Sequence, residues 1–248
     1  MTRITNPADL AALREGGKIL AQTLQATAAA VVAGVTTKEL DTIAEDSILK
    51  RGGKPAFKGY QGFPATLCTS VNDQVVHGIP GNRVLKEGDI IGLDCGVFYK
   101  GFFTDAAITV PVGRVKKQAR ELIAVTEASF AVAMKSIHAG ATTGDIGAAV
   151  QTYVEAHGFG VVRALVGHGV GKAVHEEPKV PNYGAAGSGA QLTEGLVIAV
   201  EPMVTAGHFD VKTAPDHWTV ETMDGSLASH YEHTVVVTKA GVEIITQL

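Results

Sequence analysis

The sequence predicts an α+β protein of two pseudo-symmetric halves, each an antiparallel sheet with covering helices, and three observations carry that expectation. Helical periodicity gives way to strand-and-turn patterning twice along the chain. The stretches AGVTTKELDTIAEDSILKRG (Ala33 to Gly52) and AGATTGDIGAAVQTYVEAHG (Ala139 to Gly158) have equal length and share Ala, Gly, Thr, Thr and the closing Gly. EGDIIGLDCGV (Glu87 to Val97) then matches EGLVIAVEPMV (Glu194 to Val204) at nearly the same offset. We read one domain over 1–248 with an internal duplication, its halves at approximately 1–113 and 114–248.

Leu10, Leu13, Ile19, Leu20 and Leu24 recur at helical spacing between Asn6 and about Ala33, with Asn6-Pro7 as cap and first-turn proline. Gly34 breaks this helix. Thr36 and Glu39 form a capping box for a second helix that ends near Gly52-Gly53. TLCTSV and QVVHGI flank the turn pair Asn72-Asp73, which sets His77 near a strand end. A hairpin follows over Asp89 to Val110, then helices over roughly Lys116 to His138 and Thr143 to His157.

The 248 residues, 46% of them hydrophobic, suffice for a substantial core. A formal charge of −4 without basic cluster or acidic tail points away from nucleic acid and membrane surfaces, toward a small molecule or peptide. The N-terminus lacks the apolar core of a signal peptide, and the Ala-rich run around Ala28 to Ala33 is too short to span a bilayer, so a cytoplasmic protein is expected. Cys68 and Cys95, alone in strand-like surroundings, fit reduced thiols. The 29 glycines imply many sharp turns and close backbone approaches.

The hairpin carries two acids in apolar surroundings, Asp94 and Asp105, with Tyr99, Lys100 and Gly101 between as its turn. A turn centred between Tyr99 and Lys100 makes the aspartates cross-strand partners, about 4.5–5.5 Å apart at Cβ, where like charges destabilise a sheet unless neutralised. A bound cation is the simplest remedy; a protonated Asp or a register shifted by one residue are the alternatives. The duplication enlarges the cluster: Glu201 takes the place of Asp94, and Glu232, in HYEHTVVVTKAG, that of Asp105. Halves packed about a pseudo-twofold axis bring the four acids to their seam. No Lys or Arg lies within several residues of Glu201 or Glu232, so a metal pair is the better counter-charge.

VGHGVGKAVHEEP sets His168 between two glycines, with His175 seven residues later on a glycine-rich strand-and-loop. One imidazole with four carboxylates suits Mn, Fe(II), Co or Zn, and not a structural zinc site, which favours thiolates. His77 and His175 each end an apolar strand in glycine-rich surroundings and join the candidates. His138, His157, His208, His217, His230 and His233 read as ordinary polar residues. On these residues alone the chain is a dinuclear metallohydrolase; a phosphatase stays open, although no usual phosphate-cradling glycine loop is visible.

Asp94, Asp105, His168, Glu201 and Glu232, in this order and with the motifs TSVNDQVVHGIP, Asp-Cys-Gly, Thr-Asp-x-x-x-Thr, GHGVGxxxHEEP, EGLVIAVEP and YEHTVVV, resemble the dinuclear site of type I methionine aminopeptidases. The resemblance spans nearly the whole chain. It implies the pita-bread (creatinase/aminopeptidase) fold and removal of N-terminal methionine from nascent proteins and peptides whose second residue is small, by attack of a metal-bridging water or hydroxide. It implies two divalent metal ions (Co, Mn, Fe(II) or Zn), held by Asp94, Asp105, His168, Glu201 and Glu232, with Asp105 and Glu232 bridging and Glu201 also shuttling the proton. His77 and His175 match histidines that contact substrate, His175 placed to stabilise the oxyanion. Tyr60, Phe63, Cys68 and Trp218 match the methionine pocket, whose aromatic and sulfur surroundings favour an unbranched thioether. A monomer acting on N-terminal peptides and ribosome-proximal nascent chains, without membrane or specific nucleic-acid partner, is the family expectation.

The chain departs from the family pattern at Leu165, where an aromatic or Met is usual, and at Val174, where Phe is common, which is expected to loosen one pocket wall. It matches the short bacterial type without an N-terminal extension, and the interval from His168 to Glu201 has no room for the helical insert of the type II class. The competing readings are an Xaa-Pro aminopeptidase or prolidase-like hydrolase of the same fold, which usually carries a further N-terminal domain, and a non-catalytic peptide-binding relative, which typically has substituted ligands.

Overall fold

A computed structural model describes residues 1–247. Asn6 caps α1 (Pro7–Ala29), its side-chain oxygen accepting from the Asp9 N–H, with Pro7 in the first turn. The helix stops short of Ala33: the Ala30 and Val31 N–H groups close tight turns onto Thr27 and Ala28, an ending that alanines do not announce. Thr36 and Glu39 close a capping box at α2 (Thr37–Lys50). The chain then forms β1 (Lys54–Pro55), β2 (Leu67–Val71), β3 (Gln74–Val76), β4 (Ile90–Tyr99) and β5 (Phe102–Pro111). A second helical pair follows, α3 (Lys117–Met134) and α4 (Thr143–Ala156), with a capping box of Thr142 and Asp145 at the point corresponding to Thr36 and Glu39. Strands β6 (Gly160–Val161), β7 (Gly167–Gly169), β8 (Glu176–Val180), β9 (Val197–Val200) and β10 (Met203–Thr205) succeed them. The last are β11 (Val211–Thr213), β12 (Val220–Thr222), β13 (Ala228–His230), β14 (Glu232–Thr238) and β15 (Gly241–Ile244).

Two apolar cores lie under the two helical pairs. Leu20, Leu24, Leu40 and Ile48 of α1 and α2 pack on Leu67, Ile91 and Leu93, while Leu122, Phe130, Ile146 and Val150 of α3 and α4 pack on Ile198, Val200 and Val235. Each fully buried aliphatic side chain is worth about 1.5–3 kcal/mol. Both helical pairs therefore anchor strands of one nine-stranded sheet, ordered β1-β4-β5-β14-β9-β7-β8, with β2 beside β4 and β15 beside β14.

The β4/β5 hairpin differs from the expected register. Lys100 (φ 45°) and Gly101 (φ 87°) form its two-residue loop, both with positive φ as a type I′ turn requires. The centre therefore falls one residue later, pairing Asp94 with Ala107 and Gly96 with Asp105. The two aspartates are diagonal neighbours, not direct partners, but remain on one face because the shift is by two.

The two halves meet where β5 pairs with β14, Ala107 opposite Glu232 and Ala106 opposite His233. On either side of those pairs a threonine replaces the ladder. Thr234 Oγ1 accepts from the Asp105 N–H and donates to its carbonyl, and Thr109 Oγ1 does the same for His230. Inserting a hydroxyl holds the backbones further apart than direct pairing would while leaving no buried group unsatisfied. Elsewhere β3 pairs with β12, which brings the segment bearing Trp218 beside His77. Among the described residues no helix is long and apolar enough to cross a membrane.

Candidate metal centre

Four strands deliver the acids. Asp94 and Asp105 come from β4 and β5, Glu201 directly follows β9, and Glu232 opens β14. Asp94, Asp105 and Glu232 are nearly inaccessible, at 8%, 4% and 2% exposure. His168 lies on β7 between Gly167 and Gly169, and both glycines are obligatory. A Cβ at Gly167 would strike the Ala199 carbonyl, and one at Gly169 the Glu177 carbonyl. This close packing aims Nε2 of His168 at the acids, 3.5 Å from Glu201 Oε1 and 3.9 Å from Asp105 Oδ2, while Nδ1 hydrogen-bonds the Gly169 carbonyl at 2.8 Å. That bond fixes the tautomer with a bare Nε2, as a metal ligand needs. Asn182, fully buried, donates to the Glu201 carbonyl at 2.9 Å and holds its backbone.

The electrostatics ask for a cation. Burial raises the Asp94 carboxyl to about 7. Burial, joined by repulsion from Asp94, pushes Asp105, Glu201 and Glu232 well above the carboxylate range. Burial also lowers His168 to about 4, keeping the imidazole neutral near pH 7. Asp94 Oδ1, Asp105 Oδ1 and Glu232 Oε1 are buried with no hydrogen-bond partner. Among the described residues two triads bring ligand atoms within 4.8 Å of one another, Asp105/His168/Glu232 and Asp94/His230/Glu232. Glu232 is common to both. Buried, orphaned oxygens with a neutral nitrogen fit a pair of divalent ions.

All eleven residues singled out from the sequence line one cavity: Asp94, Asp105, His168, Glu201 and Glu232 at its floor, His77, His175, Tyr60, Phe63, Cys68 and Trp218 on its walls. It holds about 710 Å³ of empty space including its mouth, a size typical of small-ligand sites at roughly 300–1,000 Å³. Phe63 and Trp218 meet edge-on with ring centres 5.2 Å apart. Cys68 stands directly across the ladder from Asp94, its thiol pushed well up by burial and by that acid. His175 takes a hydrogen bond between Nδ1 and the Tyr60 hydroxyl at 3.0 Å, and its ring lies 4.3 Å from that of His168. It precedes β8 rather than ending a strand, because the glycines before it form a loop. His77 follows β3 at φ 60°, left-handed backbone that costs a non-glycine residue roughly 1–2 kcal/mol. Such strain is characteristic of functional positions.

Two sequence expectations need revision. Val174 is 3% exposed and packs behind the wall with Ala56, Phe57, Phe63 and Cys68 rather than lining it. His230, read as an ordinary polar residue, is 3% exposed and faces the acids, with burial lowering it to about 3. The sequence offered one signal, the two-residue spacing of His230 and Glu232, but the two fall in strands of different sheets, β13 and β14, so alternation alone does not bring them together.

Comparison with known proteins agrees with this geometry. The model of metallopeptidase family M24 matches residues 11–239. A methionine aminopeptidase of Clostridium perfringens is 49% identical over 246 residues, 99% of each chain. Methionine aminopeptidase 1 of Bacillus subtilis is 46% identical over 242 residues, 98% of each. The crystal structure of a methionine aminopeptidase from Thermotoga maritima superposes with a TM-score of 0.97 at 41% identity, covering 100% of both chains. A prolidase from Pyrococcus furiosus shares the fold at a TM-score of 0.77 and 20% identity, this chain spanning 65% of it.

Proposed function

The chain belongs to metallopeptidase family M24, and from that premise we propose how its residues divide the work of a metal-dependent methionyl aminopeptidase acting on peptides and nascent proteins with a small second residue. One observation carries the assignment: Glu232 completes both buried triads, the position of a carboxylate shared by two ions. Asp94, Asp105, His168, Glu201 and Glu232 would hold the ions. Divalent ions there supply Lewis acidity and bring the pKa of a water toward neutrality.

Glu201 takes the proton of the attacking water and returns it to the departing amine, a role open to a carboxylate that lines the cavity beside His168. His175, its Nδ1 engaged by Tyr60, directs Nε2 toward the scissile carbonyl oxygen. His77, lining the same cavity, contacts the substrate backbone. Tyr60, Phe63, Cys68 and Trp218 enclose the methionine side chain, an apolar lining that accepts a thioether. We read the molecule as one catalytic domain with an internal duplication, approximately 1–113 and 114–248, supported by the recurring capping boxes. We further propose a cytoplasmic monomer that meets nascent chains near the ribosome.

Methionine release from Met-Ala-Ser and Met-Leu-Ser peptides by chelator-stripped protein, with and without Mn²⁺ or Co²⁺, tests the proposal. Metal-dependent cleavage of the first alone is expected. Cleavage of neither, together with cleavage of an Xaa-Pro peptide, would make the chain a proline-directed hydrolase instead.

A further inference from the structure

Among the described residues, His230 Nε2 is the one buried nitrogen in the group of side-chain atoms without a hydrogen-bond partner that faces the four acids. It lies 3.6 Å from Glu232 Oε2 and 3.7 Å from Glu201 Oε2. These separations are too long for a charge-assisted hydrogen bond, which runs about 2.7–2.9 Å. They are close to the spacing of two donors on one ion: at metal–ligand distances of about 2.1 Å and a tetrahedral angle, neighbouring donors stand about 3.4 Å apart. Asp94, His230 and Glu232 converge as Asp105, His168 and Glu232 do.

Resting on the metal reading above, we propose that His230 is a sixth ligand residue, binding the ion on the Asp94 side through Nε2, so that each of the two metal positions carries one imidazole. The five residues implied by family resemblance place a single nitrogen at the centre. The geometry adds a second on the opposite side. Preorganisation supports it: Thr109 grips the main chain of His230 from both sides, accepting from its N–H and donating to its carbonyl at 2.9 Å each. The backbone of His230 is fixed and its side chain is 3% exposed before any ion arrives, which limits the ordering that ligation must impose. An imidazole at both positions selects against Mg²⁺ and Ca²⁺, which prefer all-oxygen shells, and favours Fe(II), Co²⁺ and Zn²⁺ on both sides.

Proton NMR of the wild-type protein loaded with two equivalents of Co²⁺ tests this, because each cobalt-bound imidazole yields one strongly shifted, exchangeable N–H signal. Two signals are expected, one removed by His168→Ala and the other by His230→Ala. In equilibrium dialysis, His230→Gln is expected to weaken Co²⁺ binding at one position by at least about 10–100-fold, the loss typical of a mere outer-shell partner. A single shifted signal in the wild type, traced to His168, would overturn the assignment while leaving the metal centre intact. Wild-type affinity in His230→Gln would do the same, since glutamine preserves a hydrogen-bonding role but not an imidazole nitrogen. No shifted signal at all would overturn the metal reading of the site and this assignment with it.

Discussion

The hydroxyl of Thr234 holds both backbone groups of Asp105, accepting from its N–H and donating to its carbonyl at 2.8 Å each. Thr109 and His230 repeat this arrangement across the same seam. Each clip fixes the main chain of a residue that faces the acid cluster. Thr234→Val, nearly isosteric, leaves the Asp105 N–H and carbonyl buried without partners, at about 1–3 kcal/mol per group. The stripped protein is expected to melt several degrees lower and to bind Co²⁺ more weakly, with Thr234→Ser restoring most of both. Thermal unfolding and equilibrium dialysis of the two variants check this.

Glu201 presents one oxygen to His168 and the other to His230, at 3.5 and 3.7 Å. Glutamine keeps the shape and one oxygen but cannot accept the proton. Glu201→Gln is expected to fold normally, retain metal, and lose roughly 10²–10⁴-fold in kcat. Near-wild-type turnover on Met-Ala-Ser would remove Glu201 from the proton-transfer role.

Stability of the stripped protein should fall at alkaline pH. Asp94 is raised to about 7, and Asp105, Glu201 and Glu232 are likewise raised by burial, so the folded state retains protons that the unfolded chain has lost. An acid with a raised folded pKa destabilises progressively as pH climbs from its unfolded toward its folded value. The buried imidazoles oppose this at lower pH. His77 and His168 fall to about 4 and His230 to about 3, so they add stability as pH rises, but only up to their unfolded value of 6.5. Above it the carboxyls act alone. Melting temperature is expected to drop as pH climbs above 6.5, a slope that saturating metal should abolish while adding about 2.7 kcal/mol at a hundred times its Kd. A flat profile in the stripped protein would contradict the buried-acid account.

The acids were legible because each interrupts an apolar strand and because the duplication pairs Asp94 with Glu201 and Asp105 with Glu232. Their shared face was legible too, since alternation survives any even shift. Their register was not: it depends on which two residues take positive φ, and Tyr99-Lys100-Gly101 offers two choices that only the strands' mutual packing decides. His230 was obscured for a different reason. It ends β13, in a small sheet with β10, while Glu232 begins β14 in the large one, so its approach to Asp94 is made by tertiary folding.

Val174 tests how far packing behind the wall controls the pocket in front of it. Its side chain fills a space closed by Ala56, Phe57, Phe63 and Cys68, so a phenyl ring there cannot simply extend into the cavity. Overpacking a filled core costs about 1–3 kcal/mol and displaces neighbours, here Phe57 and Phe63, which do line the cavity. Val174→Phe is therefore expected to lower the melting temperature and to raise KM for methionyl peptides, because Phe57 and Phe63 line the cavity that the substrate enters. If instead stability is retained and selectivity for methionine over other N-terminal side chains sharpens, the ring has reached the wall, and Val174 controls specificity directly.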